Sequence, residues 1–185
     1  MVEDIRMLLD AVHDGTPVHI AGNSYGGTVA YGIALEHPDR VASMISLEAE
    51  PPTPAWADTM RETFQQAKEE IYKADAMVRA VAAYGLAGAK ILKLSRRLAK
   101  ETRFFEELPE SATVSTETVA QLPVPVLAIY GSESWLFEQE PVMRSLLQNT
   151  TTVVVPGGQP LGAHGGPSPP RGRIDHVDTQ VSSGP

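Results

Sequence analysis

Cysteine is absent from the 185 residues, which removes disulfides, thiolate metal sites and a Cys nucleophile together. Positive charge is scarce: 15 Lys and Arg stand against 23 Asp and Glu, a formal net charge of −8. A general nucleic-acid binder needs a basic face to displace phosphate counterions, so that class is excluded. No apolar run approaches the roughly 18 residues needed to cross a bilayer. The first residues, Met1 to Arg6, are charged and amphipathic, unlike a signal peptide. The G-x-x-x-x-G-K-[ST], H-E-x-x-H, calcium-loop and G-x-G-x-x-G patterns are all missing, so no metal or organic cofactor is implied. These absences lead to the expectation of a cytoplasmic, soluble protein with no nucleic-acid partner and no membrane span. Its oligomeric state is left open.

Apolar residues make up 42% and charged residues 21%, enough to bury a core in one domain or part of a larger one. Ile5, Leu8, Leu9 and Val12 recur at helical spacing and predict a helix over 2–13. Asp14-Gly15 ends it. Residues 17–22 read as a short apolar strand, 26–36 as an Ala- and Gly-rich helix closed by Pro38, and 41–47 as a second strand. Strand, tight turn, helix and strand in so short a span make a βαβ unit, which implies a parallel sheet.

The texture changes at Pro51-Pro52-Thr53-Pro54. From 57 to about 108 the pattern is helical, with Met60, Phe64, Ala67 and Ile71 on one face and Ile91, Leu94 and Leu98 on another. Gly85 and Gly88 separate two helical stretches. Strand signals resume at 123–131, followed by a helix over 141–147 and a strand over 151–155. The expected organisation is α/β, with 1–52 and 121–156 forming one discontinuous core and 53–120 a helical cap inserted in it. Over residues 157–185, 12 of 29 positions are Gly or Pro, and nothing there is periodic. A disordered tail is expected.

Gly22-Asn23-Ser24-Tyr25-Gly26 fits G-x-S-x-G, between a buried strand and a helix. A nucleophile on so sharp a turn projects its hydroxyl clear of the backbone, and glycine on both sides relieves crowding. The Tyr25 amide then opens the next helix and can hold an oxyanion. The competing reading is a tight turn whose serine merely caps that helix.

The stretch Val18-His19-Ile20-Ala21-Gly22-Asn23-Ser24-Tyr25-Gly26-Gly27, with His37-Pro38-Asp39-Arg40-Val41 after its helix, resembles the α/β-hydrolase superfamily. Leu122 to Gly131 resembles the penultimate strand of that fold, and the helical stretch between resembles its cap. The resemblance implies Ser24 as nucleophile and the Tyr25 amide as half of the oxyanion hole. The base normally follows the last strand, and His164 comes a few residues late for it. The acid is open. Ser134 stands where the family commonly has Asp, Glu133 is adjacent, and Glu48 or Glu50 fits the variant that takes the acid after the elbow helix's strand. The family has several strands before the elbow that find no counterpart here, and the tail departs from its pattern. The expectation is therefore an N-terminally truncated hydrolase with an aberrant C-terminus and an exposed sheet edge.

Asn23, Trp56, Met60 and Phe64 are the expected substrate contacts, on a small hydrophobic ester, thioester or similar carbonyl compound. The chemistry implied is acyl transfer to water through an acyl-enzyme on Ser24. The alternatives are a catalytically inactive fragment or binding remnant, and a relative that runs perhydrolysis or C–C bond cleavage on the same fold.

Overall fold

A computed structural model describes residues 1–109 and 113–158. Among the described residues four strands form one wholly parallel sheet in chain order: β1 (Val18–Asn23), β2 (Val41–Leu47), β3 (Val126–Gly131) and β4 (Thr150–Val155). Each matches an apolar run read from the sequence, with small shifts at the ends. Parallel neighbours need a crossover, and α2 (Tyr25–Glu36) makes the one between β1 and β2. The crossover between β3 and β4 carries a 3₁₀ turn (Trp135–Gln139) and α7 (Glu140–Leu146).

The core lies where α2 meets the sheet. Ala30, Tyr31, Ile33 and Ala34 pack with Met44 of β2 and with Val126, Ala128 and Tyr130 of β3. Burying one such large side chain stabilises the fold by roughly 1.5–3 kcal/mol. The α1 helix (Val2–Val12) packs on α2 less fully than its spacing predicts. Val2 and Ile5 reach the core, Leu8 and Val12 face out, and Gly32 lets Val2 approach α2 closely.

Between β2 and β3 the chain runs through α3 (Pro54–Glu70), α4 (Ala76–Glu101), α5 (Phe104–Glu107) and α6 (Thr116–Ala120). Thr53 starts α3: its hydroxyl accepts from the Trp56 amide at 3.2 Å, and Pro54 fills the first turn. Met60, Phe64, Ala67 and Ile71 share a half-buried face, as their spacing predicts. Trp56, Ala57 and Leu108 form a second apolar cluster, joined by Tyr25, Met60 and Phe64.

In α4 the break falls at Gly85 (φ 58°, ψ −144°), while Gly88 stays helical. A Cβ on Gly88 would sit 1.9 Å from the Ala80 carbonyl oxygen, so Gly88 is where the two arms touch. The inward residue of the second arm is Leu92. Ile91 and Leu94, which share one helix face by spacing, are 57% and 66% exposed. Val119 of α6 joins the sheet core. Among the described residues no helix is long and apolar enough to cross a membrane.

Candidate active site

β1 delivers the chain to Asn23, and α2 begins at Tyr25, so Ser24 takes the whole change of direction. Its backbone is forced to φ 51°, ψ −126°, a region L-residues rarely occupy, at a cost of about 1–3 kcal/mol. The turn is held from both sides. The Ser24 amide donates to the Leu47 carbonyl at 2.9 Å, and the Ser24 carbonyl accepts from the Gly27 and Thr28 amides. Ser24 is exposed, and its hydroxyl makes no bond to the helix it precedes, so it is not acting as a side-chain cap. The Tyr25 amide opens α2, where no intrahelical acceptor exists for it.

Two glycines make this turn possible. A Cβ on Gly22 would lie 2.3 Å from the Gly26 carbonyl carbon and oxygen, and a Cβ on Gly27 would lie 2.4 Å from the Ala49 Cβ. Gly26, the second glycine of the motif, has open space where its Cβ would go. The crowding expected on both sides of the serine thus falls on Gly22 and Gly27.

Ser24 opens onto a cleft of about 150 Å³ between the sheet's C-terminal end and α3. Trp56, Met60 and Phe64 of α3 line it with Tyr25, and the Tyr25 and Trp56 rings stack at 6.4 Å and 16°. Glu48 and Glu50, from the loop after β2, line it as well. Among the described residues the non-glycine residues with positive φ are Ser24 and Glu48, so backbone strain gathers at this cleft.

The Glu48 carboxylate accepts from the Gly131 amide and the Ser134 hydroxyl, both just past β3. The serine found where a carboxylate was sought thus holds a carboxylate delivered from the neighbouring strand. The backbone carbonyl of Glu50 accepts from Thr28 Oγ1 at 2.8 Å, which ties its loop to α2. Burial raises the Glu50 acid above its ordinary range. Leu108, Trp135 and Leu136 line it too, and nothing in the sequence marks them, since each comes from a segment distant in the chain.

Other expected residues lie elsewhere. Asn23 is exposed, outside the cleft lining, and donates to the Leu47 carbonyl at 3.3 Å. Glu133 is exposed and outside the cleft lining, and its amide donates to the Gly158 carbonyl at 3.0 Å. His164 and nearly all of the expected tail lie outside the described residues. Among the described histidines, His13 and His19 are exposed, and His37 lies 3.8 Å from Glu3. None of these three lines the cleft.

The family model described as alpha/beta hydrolase fold matches residues 1–86. Among solved structures the chain is similar to MGS-M2, an alpha/beta hydrolase enzyme from a Medee basin deep-sea metagenome library. That match has 22% identity and a TM-score of 0.57, and covers 85% of this chain. It is similar to a carboxylesterase structure from the ammonia-oxidizing thaumarchaeon Nitrososphaera gargenis, at 18% identity, TM-score 0.57 and 86% coverage. It is also similar to the meta-cleavage product hydrolase CumD from Pseudomonas fluorescens, at 21%, 0.52 and 86%. The chain spans 63% of the length of each of these three structures. A search of curated proteins finds no match.

Proposed function

We propose that this chain, with its strained, exposed serine, is a serine hydrolase of the α/β-hydrolase superfamily that cleaves an ester, thioester or similar carbonyl substrate with an apolar part. The observation that carries this reading is the Ser24 backbone at φ 51°, ψ −126°, beside a cleft walled by α3. Strain of that size persists only where surrounding structure enforces it, and it gathers at working sites.

In the proposed reaction Ser24 Oγ attacks the substrate carbonyl carbon while a base takes the hydroxyl proton. The Tyr25 amide donates to the oxyanion of the tetrahedral intermediate. Collapse breaks the bond to the alkoxide or thiolate, which leaves with the proton from the base, and an acyl group remains on Ser24. Water, deprotonated by the same base, then releases the acid. We assign the orienting carboxylate to Glu48, supported by its place in the Ser24 cleft and its two hydrogen bonds past β3. The base we propose is His164, carried over from the family's order of elements. Five residues lie between it and Gly158, and those six Cα steps can span up to about 20 Å.

A second reading is a non-catalytic remnant of such an enzyme. It is favoured by the absence of histidine from the cleft lining among the described residues. A fluorophosphonate probe separates the two, because it labels an activated serine and leaves an idle one untouched. The hydrolase reading expects labelling that Ser24→Ala abolishes and that His164→Ala and Glu48→Gln slow strongly. A folded sample that takes no label would establish the remnant.

A further inference from the structure

The Ser24 cleft is aromatic and acidic at once. Tyr25, Trp56, Phe64 and Trp135 contribute aromatic side chains, Glu48 and Glu50 contribute acidic ones, and no Lys, Arg or His is part of its lining. The two carboxylates are not equivalent. Glu48 is occupied by the Gly131 amide and the Ser134 hydroxyl. Glu50 is half-buried, and among the described residues its carboxylate has neither a hydrogen-bond donor nor a cation. A half-buried, unpaired carboxylate is costly, and the folded chain carries that cost beside a stacked Tyr25–Trp56 pair.

We propose that the cleft takes a ligand with a cationic ammonium head, with Glu50 as its counter-ion and the aromatic faces as its cradle. A cation over a ring face within about 6 Å is attracted by the ring quadrupole, most strongly for Trp. The carboxylate adds the charge partner that the described residues withhold. Within the proposed hydrolase this makes the substrate an ester or thioester bearing an alkylammonium or quaternary ammonium group, with Glu50 setting specificity. Recognition of that group needs no chemistry at Ser24, so it can be tested apart from turnover.

The test compares two probes of nearly the same shape, choline and its neutral carbon analogue 3,3-dimethylbutanol, titrated calorimetrically into the full chain. Choline should bind roughly tenfold more tightly than the neutral analogue. Glu50→Gln should remove most of that preference and leave the neutral analogue's affinity unchanged. Ser24→Ala should leave both affinities intact. Equal binding of the two probes by the unsubstituted chain, or a preference that survives Glu50→Gln, overturns the proposal. Choline preference without fluorophosphonate labelling would sink the hydrolase reading and keep this one. Labelling without choline preference would do the reverse.

Discussion

Alanine placed in turn at Gly22, Gly26 and Gly27 tests whether the elbow's geometry is what demands glycine. At Gly22 the added Cβ would lie 2.3 Å from two backbone atoms of Gly26 and 2.5 Å from the Gly27 amide nitrogen. Ordinary contact begins near 3.4 Å, so the shortfall exceeds 1 Å. The neighbours are backbone, so no rotamer change relieves the clash, and the turn itself must open. Overpacking in a tight interior typically costs 1–3 kcal/mol, and a clash against fixed backbone belongs at or above the top of that range, about 3 kcal/mol. In a domain of this size that lowers Tm by about 6–12 °C. Gly27→Ala meets the Ala49 Cβ at 2.4 Å and should cost a similar amount. Gly26→Ala meets nothing within 4 Å and stands in the first turn of α2, where alanine is the better helix former. It should raise stability by about 0.5 kcal/mol. Thermal unfolding followed by circular dichroism measures all three, and the rate of fluorophosphonate labelling reports whether Ser24 keeps its posture. If Gly26→Ala melts as low as Gly22→Ala, or Gly22→Ala melts with the unsubstituted chain, the steric account of the elbow is wrong.

Two further substitutions follow from strain and burial. Ser24→Gly removes the side chain from a positive-φ position and should stabilise the fold by roughly 1 kcal/mol in denaturant titration, while abolishing probe labelling. For Glu50, burial raises the folded-state acid above its unfolded value of 4.5, so the folded chain holds this proton the more tightly. Its contribution is therefore most favourable at low pH and is lost as pH rises through the folded value. Glu50→Gln should accordingly melt higher than the unsubstituted chain at pH 7–8, with the gap closing toward pH 4. A gap that widens on acidification would contradict this.

The parts of the fold legible in the sequence are those set by local pattern. Apolar runs bounded by Gly and Pro marked the strands, and the Ala-rich segment after Ser24 marked its crossover helix. Patterns of this kind identify residues that share a face without identifying what covers it. Leu8 and Val12 are correctly spaced in α1 yet face outward, and in α4 the buried position is Leu92 rather than Ile91 or Leu94. The motif marks the sharp turn, but the crowding at Gly27 comes from Ala49, in the loop after β2. The contact of Glu48 with Ser134 joins residues far apart in the chain, so no spacing rule exposes it. Against the family pattern Glu48 is a variant position and Ser134 a departure, and the pairing emerges only when β2 and β3 lie side by side.

That seam between β2 and β3 also governs how the chain can assemble. Met44 pairs with Val126 and Leu47 with Ile129, so about eighty residues must be looped out before the first rung can form. The β1–β2 and β3–β4 pairings close far shorter loops. Loop-closure entropy favours the two local halves forming first and the central rungs last. The cleft floor therefore belongs to the late steps of folding: Glu48 gains the Gly131 amide only when the halves meet. Until then two apolar half-sheets stand open, and it is in that interval that a nascent chain is most exposed to a wrong partner.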